Sequence, residues 1–226
     1  MKPHHVICLV TDRHRLSPNS APADSLDRLV NFVGAAATAG VDLIQLRERD
    51  LESRVLGTLA ERCVRMVDGR ASLVVNDRLD IALAAGAHGI HLRSDSFKAG
   101  AVRAIAPGDF EIGRSVHGAA EIDSLTGADA VDYLIAGTIF MTRSKPELTE
   151  PAGLERLSVI CAVAQVPVLG IGGIDLEKAE LVAAAGASGV AAIGLFIPPA
   201  GISPETHLHN VVKTLRRVFD THRTVS

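Results

Sequence analysis

The stretch AAGAHGIHL (residues 84–92) joins the end of a predicted helix, through a glycine, to a short apolar strand. Degenerate copies of this join occur at TAGVDLIQL (38–46), TGADAVDYLIAG (126–137) and AAGASGVAAIG (184–194). Repetition of one helix-to-strand unit along a single chain predicts a cyclic α/β architecture.

Short apolar runs alternate with stretches of helical period along the whole chain. Most runs are continuously apolar, as parallel strands with both faces covered require. The predicted strands are VICLVTD (6–12), LIQLR (43–47), SLVVND (72–77), GIHL (89–92), EIGRSV (111–116), YLIAG (133–137), PVLGIGG (167–173) and GVAAIG (189–194). We therefore expect a single-domain (β/α)8 TIM barrel over residues 1–226, and a doubly wound open sheet is the alternative.

Capping residues predict several helix ends. Asp24 or Ser25 is expected to begin a helix that runs to Ala39, and Glu52 or Ser53 one that runs to Val67. Asp175 is expected to cap a helix that stops at Gly186, where a left-handed conformation suits glycine. Residues 198–226 are expected to form a loop and a C-terminal helix.

Composition excludes several function classes. The net charge is −3 and the pI is near 6.3, so no global field attracts nucleic acid or an anionic membrane. The chain has no Trp and one Tyr, which argues against base-stacking platforms. No apolar run approaches the roughly 18 residues of a membrane span. Cys8, Cys63 and Cys161 are widely spaced, which favours buried free thiols in a reducing compartment. We expect a soluble, cytoplasmic protein with small-molecule partners.

In a (β/α)8 barrel the active site lies at the carboxyl ends of the strands. Gln45, Arg47 and Arg49 alternate along strand two and can converge on one ligand. Other polar residues follow the remaining strands: Asn76 and Asp77, Arg93 to Ser96, Arg114, Ser115 and His117, and Thr138, Thr142, Ser144 and Lys145. Cations with a lone carboxylate suit a polyanion carried with Mg²⁺, and surface charges with helix caps are the alternative.

Glycines follow strands seven and eight, at Gly172, Gly173 and Gly194. Without a Cβ they let backbone N–H groups approach phosphate oxygens. The alternative is that they only relieve crowding in tight turns. In a barrel, where this end often holds a phosphate, the first interpretation is favoured.

The motifs TDR, QLRER, VVNDR, GIHL, IGRSVH, GTIFMTRSKPE, PVLGIGGI and GVAAIG resemble, in order and spacing, those of the thiamine phosphate synthase/TenI superfamily over residues 6–197. The resemblance implies catalytic roles for Arg47, Lys145 and Ser115, and Mg²⁺ binding by Asp77. It implies substrate binding by Gln45, Arg49, Asn76, Thr138, Thr142, Ser144, Gly172, Gly173, Ile193 and Gly194. A second metal-binding aspartate is expected at position 96, which is Ser96 here, and Asp95 lies one position early.

The resemblance implies an enzyme that joins thiazole phosphate to a pyrimidine pyrophosphate, giving thiamine phosphate and pyrophosphate with Mg²⁺. The loop HLRSDS is closer to the TenI branch, which suggests a thiazole tautomerase without a cofactor. Thr138 occupies the position of that branch's histidine base, so His117 or a water would have to serve. A non-catalytic binding or regulatory protein is the third alternative. A homo-oligomer and a lid over residues 142–151 are left open.

Overall fold

A computed structural model describes residues 7–142 and 150–223, with the side chains of residues 222 and 223 excepted. Eight parallel strands form a closed barrel in chain order, and β8 pairs back to β1. The strands are β1 (Ile7–Val10), β2 (Leu43–Leu46), β3 (Ser72–Asn76), β4 (Gly89–Leu92), β5 (Glu111–Val116), β6 (Tyr133–Gly137), β7 (Val168–Ile171) and β8 (Gly189–Ala192). The predicted (β/α)8 barrel is confirmed.

Helices surround this barrel. They are α1 (Arg13–Leu16), α2 (Pro22–Ala39), α3 (Ser53–Val67), α4 (Leu79–Ala84), α5 (Ala99–Arg103), α6 (Gly153–Val163), α7 (Leu176–Ala184) and α8 (Pro204–Arg223). Short 3₁₀ turns lie at Ala119–Ser124, Gly127–Asp129 and Gly194–Phe196. None of the described helices is long and apolar enough to cross a membrane.

The apolar side chains divide into two clusters because each strand is covered on both faces. One cluster fills the barrel interior with Cys8, Val10, Leu43, Val74, Tyr133, Ile135, Leu169 and Ala191. The larger cluster lies between the outer face of the strands and the helices. Inside the barrel the Tyr133 ring occupies the space of a Cβ at Gly113, which would lie 2.0 Å from Tyr133 Cζ.

The predicted ends of α7 are confirmed, whereas the predicted start of α2 is not. Asp175 caps α7 by accepting the Lys178 N–H at 2.9 Å, and Gly186 has a φ of 92°, as predicted. The start predicted at Asp24 or Ser25 is wrong, because α2 begins at Pro22. Proline suits the first helical position, and the Ser25 hydroxyl donates to the Pro22 carbonyl instead of capping.

The predicted bounds of α3 are confirmed, although the Glu52 side chain makes no capping hydrogen bond. The C-terminal helix is present as α8. Cys8, Cys63 and Cys161 are free thiols; the first two are buried, whereas Cys161 is only half-buried. Burial raises the pKa of the Cys63 thiol to about 12, so it stays protonated.

Candidate active site

The carboxyl ends of the strands gather most of the sequence-predicted residues at one mouth of the barrel. Gln45, Arg47, Asn76, Asp77 and Ser115 come from the ends of β2, β3 and β5, with Arg49 and Ser96 on the loops that follow β2 and β4. Thr138, Thr142, Gly172, Gly173, Ile193 and Gly194 follow β6, β7 and β8. Ser144 and Lys145 lie outside the described residues.

Arg47 is the centre of positive charge at this mouth. Burial lowers the pKa of its guanidinium, and the charges of Arg49 and Arg93 lower it further, while Asp12 and Glu48 offset this only in part. Within residues 7–142 and 150–223, the guanidinium of Arg47 donates no hydrogen bond. A half-buried cation held near other cations is a binding point for an anion.

A buried ionic network fixes the backbone that carries Arg47. The Glu48 carboxylate accepts hydrogen bonds from the Thr11 hydroxyl at 2.7 Å and from Arg13 Nη1 at 2.9 Å. Thr11 Oγ1 in turn accepts the Arg47 backbone N–H at 2.9 Å. Asp50 closes the network with Arg13 Nη2 at 2.5 Å. The end of β2 is therefore tied to the end of β1 from behind the site.

The amides of Gln45 and Asn76 are paired across β2 and β3. Gln45 is buried, and its Nε2 donates to Asn76 Oδ1 at 2.9 Å. Because the Asn76 oxygen is used in this bond, its NH₂ group is the part left to donate to a ligand. The pair thus turns a donor towards the mouth.

Asp77 has a left-handed backbone, with a φ of 57°. Its N–H donates to the His91 carbonyl at 2.9 Å, and its Oδ1 accepts the Ser96 hydroxyl. Ser96 Oγ also accepts the Arg93 N–H at 3.0 Å. Ser96 therefore occupies one carboxylate oxygen of Asp77 and leaves the other for a ligand.

Asp95 does not join Asp77. Its carboxylate pairs with Arg93 Nη2 at 2.5 Å, and both side chains are exposed. The loop that follows β4 (residues 93–98, here the β4–α5 loop) has not shifted so as to bring Asp95 into the place of the missing second aspartate.

Arg114, on β5, holds the β4–α5 loop in place. Its guanidinium donates to the carbonyl oxygens of Ser94 at 2.9 Å, Phe97 at 3.0 Å and Ser96 at 3.1 Å. These bonds hold the loop backbone, and the bond from the Arg93 N–H to Ser96 Oγ adds to them within the loop.

His91 links the barrel interior to Ser115. Its ring stacks on Tyr133 and is hydrogen-bonded to the Tyr133 hydroxyl at 3.2 Å and to Ser115 Oγ at 2.9 Å. Burial and the nearby charges of Arg47 and Arg114 lower the pKa of His91 to about 3, so the imidazole is neutral at neutral pH. If Tyr133 donates to Nδ1, then Nε2–H donates to Ser115, and the Ser115 hydroxyl proton is left to bond a ligand.

The glycines after β7 are explained first by their surroundings. Gly172 and Gly173 have φ values of 103° and 65°, a conformation that favours glycine. Added Cβ atoms would lie 2.3 Å from Thr138 Cγ2 and from the Met141 carbonyl oxygen respectively. Close packing against the segment after β6 thus requires both glycines, whatever a ligand adds.

The segment after β6 carries a buried hydroxyl rather than a base. Thr138 is buried, and His117 lies across from it, exposed, with Nδ1 at 2.6 Å from the Gly137 carbonyl. Because a carbonyl only accepts, Nδ1 of His117 carries a proton, so in the neutral ring the lone pair is on Nε2.

This arrangement agrees with comparisons to known proteins. A family model described as thiamine monophosphate synthase matches residues 7–196. The chain belongs to this family. The thiamine-phosphate synthase of Roseiflexus sp. (strain RS-1) is 36% identical over 193 residues, which are 85% of this chain and 78% of that protein. The synthase of Azorhizobium caulinodans is 33% identical over 216 residues, 95% of each chain.

A solved structure gives the same result for the fold. The thiamine phosphate pyrophosphorylase from Pyrococcus furiosus matches with a TM-score of 0.77 and 27% identity, over 97% of both chains. The family resemblance stated from the motifs is thereby confirmed.

The family implies Mg²⁺, and the described residues fit it in one way. They contain no group of three or more His, Cys, Asp or Glu side chains arranged to hold a metal. Mg²⁺ needs only one or two carboxylates when substrate phosphates and waters supply its other ligands. The free oxygen of Asp77 meets that need, whereas Asp95 is turned away.

Several residues of this site were not singled out from sequence. Glu48 had a detectable signal, because it alternates with Arg47 and Arg49 and must therefore face the helices, where a lone carboxylate needs a partner. Arg15, which follows β1, had none, since a surface arginine reads the same as a site arginine in a single sequence. The bond of His91 to Ser115 joins residues of two different strands and has no signal in the sequence.

Proposed function

We propose that this protein couples thiazole phosphate to a pyrimidine pyrophosphate and releases pyrophosphate. The bond between the pyrimidine methylene carbon and the pyrophosphate oxygen breaks with both electrons going to oxygen. The ring nitrogen of the thiazole then donates its electron pair to that carbon, which gives thiamine phosphate. Family membership and the charge pattern of the mouth both support this reaction.

The observation that carries the proposal is Arg47. Departure of pyrophosphate develops negative charge, and a step of this kind is accelerated by fixed positive charge that is present before the reaction. Arg47 supplies it from a half-buried position next to Arg49 and Arg93. The backbone of Arg47 is held in place because its N–H donates to Thr11, whose hydroxyl in turn donates to Glu48.

The neutral donors orient the same leaving group. The Asn76 NH₂ and the Ser115 hydroxyl are each left to donate by the bonds that their other atoms make. Neutral His91 passes no proton at neutral pH and acts by holding Ser115. Asp77 would hold Mg²⁺ through its free oxygen, and the ion when bound would neutralise part of the pyrophosphate charge.

The opposite side of the mouth is proposed for the thiazole phosphate. Thr138, Thr142, Gly172, Gly173, Ile193 and Gly194 would line it in the described part of the chain. From the family resemblance, Ser144 is proposed for this side and Lys145 for the pyrophosphate. The two substrates would then lie side by side over the barrel, with the reacting nitrogen facing the methylene carbon.

The test is a steady-state assay of thiamine phosphate formation with Mg²⁺ and both substrates. Arg47→Met should lower kcat/KM at least about tenfold, because charge-assisted bonds to a phosphate contribute roughly 1.5–3 kcal/mol. It should not lower the urea midpoint of unfolding, since it removes a desolvated cation that repels Arg49. No product from the wild-type protein would overturn the proposal, as would full activity in the variant.

One observation supports a second candidate, the thiazole tautomerase. Because Nδ1 of His117 donates to Gly137, the neutral ring would present its lone pair on Nε2. Incubation with the non-aromatic thiazole carboxylate phosphate should then yield the aromatic isomer, and His117→Asn should abolish it. If the wild-type protein produces no isomer, this candidate is removed.

A further inference from the structure

Arg15 lies at the mouth beside the end of β8. It is on α1, and its guanidinium packs against the Cα of Gly194. A Cβ built on Gly194 would lie 2.7 Å from Arg15 Nη2, 3.4 Å from Cζ and 3.5 Å from Nη1. The cation therefore sits directly on one of the residues proposed to line the thiazole phosphate.

This contact bears on why position 194 is a glycine. Gly172 and Gly173 have left-handed backbones, but Gly194 is not among the residues with positive φ. Backbone conformation therefore does not exclude a side chain at 194. A Cβ there would instead meet the tip of the Arg15 side chain, which would have to move aside, so the two residues share one space.

The position of Arg15 is set by the local structure that follows β1. Asp12 caps α1, and its Oδ1 accepts the Arg15 N–H at 3.1 Å. Arg13, two residues earlier, is buried in the network with Glu48. The helix turn between these anchors directs the side chain of Arg15 across to β8.

Charge gives this contact a chemical meaning. The described residues proposed for the thiazole phosphate side are all uncharged, whereas a phosphate monoester carries nearly two negative charges at neutral pH. The guanidinium of Arg15 has the planar fork that matches two phosphate oxygens.

We propose that Arg15 binds the phosphate group of the thiazole substrate at the ends of β7 and β8 and makes the site select phosphate monoesters. This inference rests on the proposed function. It gives the segment after β1 a role in substrate binding, in addition to its support of Arg47.

The experiment compares two probes, thiazole phosphate and the same thiazole as its free alcohol, by calorimetric titration. Arg15→Ala should weaken binding of thiazole phosphate by about tenfold to a hundredfold, the range of a charge-assisted hydrogen bond. It should leave binding of the alcohol and the KM for pyrimidine pyrophosphate unchanged. Arg15→Lys should recover part of the affinity, because the charge returns without the fork.

Gly194→Ala provides an independent variant that leaves Arg15 in the chain. Its Cβ should push the guanidinium aside and weaken thiazole phosphate binding in the wild-type background. In the Arg15→Ala background the Cβ has room, so the second substitution should have little further effect. Additive losses would show that the two residues act separately and would overturn the inference.

The remaining outcomes separate this inference from the proposed function. Arg62→Ala, which breaks an exposed pair with Asp27, is the matched control for loss of one arginine and should bind both probes like the wild type. If Arg15→Ala turns over normally and binds thiazole phosphate as tightly as the wild type, the role of Arg15 is wrong and the proposed function stands. Equal loss of both probes would mean a structural role only. A wild-type protein that neither binds thiazole phosphate nor forms product would overturn both.

Discussion

The end of β2 and the end of β3 lie side by side at the mouth but are supported in opposite ways. Behind Arg47 stands a buried network in which Glu48 and Arg13 are 4% and 7% exposed. Asp77 instead relies on one serine hydroxyl and on a loop whose own ion pair, Arg93–Asp95, is exposed. Arg47 is therefore supported by buried side chains, whereas Asp77 is supported by a loop at the surface.

The difference indicates which of the two strand ends tolerates substitution of its supporting residues. A buried carboxylate must keep its partners, because an uncompensated buried charge strongly destabilises the fold. An exposed pair contributes little to stability and can be replaced. We infer that the Mg²⁺ site proposed at Asp77 can change more easily than the pyrophosphate site proposed at Arg47.

The largest expected effect is that of Glu48→Gln. It leaves Arg13 with Asp50 alone and weakens the bond that orients Thr11, so the free energy of unfolding should fall by about 3 kcal/mol, at the lower end for breaking a buried pair. It should also lower kcat/KM, because the backbone that carries Arg47 is held less firmly. Urea unfolding and the steady-state assay measure the two changes.

Asp27→Asn is the control for the loss of one carboxylate from an ion pair. It breaks the exposed pair with Arg62 and should lower the free energy of unfolding by less than about 1 kcal/mol. Equal shifts of the urea midpoint in the two variants would mean that the β2 end is no more strongly supported than the surface.

An intermediate effect is expected for pH, through His91. The neutral ring is favoured in the folded protein, where its pKa is about 3, against 6.5 in the unfolded chain. The unfolded chain therefore binds one more proton between these values, and stability is complete above pH 6.5 and falls as the pH drops. One proton corresponds to a slope of at most about 1.4 kcal/mol per pH unit.

His91→Gln should remove that slope. The comparison is made by urea unfolding between about pH 5 and pH 6.5, above the ordinary carboxylate pKa values of about 4. If the wild-type protein and the variant lose stability in parallel over this window, His91 is not held neutral by the barrel interior.

The smallest expected effect is that of Ser96→Asp at the β3–β4 side. A second carboxylate beside Asp77 should tighten Mg²⁺ binding about tenfold and raise Mg²⁺-dependent turnover, because added ligand charge favours the ion. Calorimetric titration with Mg²⁺ gives a readout that does not depend on activity. Ser94→Asp adds the same charge to the same loop away from Asp77, and equal tightening by both variants would count against a site at Asp77.

The fold was predictable from sequence because its signal is repeated. All the strands were located from apolar runs, since most of their residues are covered on both faces of the barrel wall and are apolar. The start of α2 was missed for a local reason. Asp24 and Ser25 are residue types that often cap helices, so they predict a start there. Pro22 instead occupies the first turn, and the helix begins two residues before Asp24.

The candidate site was predictable only in part. Positions such as Arg47, Asn76 and Asp77 follow from where strands end, but a role depends on partners that are distant in the chain. The Glu48–Thr11 bond joins residues 37 positions apart, and the Asp77–Ser96 bond depends on the path of a loop set by Arg114. No single stretch of sequence contains such a pairing, so the contact of Arg15 with Gly194 could be found only in three dimensions.

The bonds of Arg114 to the β4–α5 loop have a consequence for how this protein can diverge. Arg114 grips backbone carbonyls at Ser94, Ser96 and Phe97, and every amino acid offers the same carbonyl. Much of the path of the loop is thus encoded on β5, outside the loop itself, and only one side-chain bond within the loop, from the Arg93 N–H to Ser96 Oγ, depends on residue 96. A lineage or a protein engineer could exchange the chemistry at position 96 with the loss of that bond, while the three bonds of Arg114 stay in place.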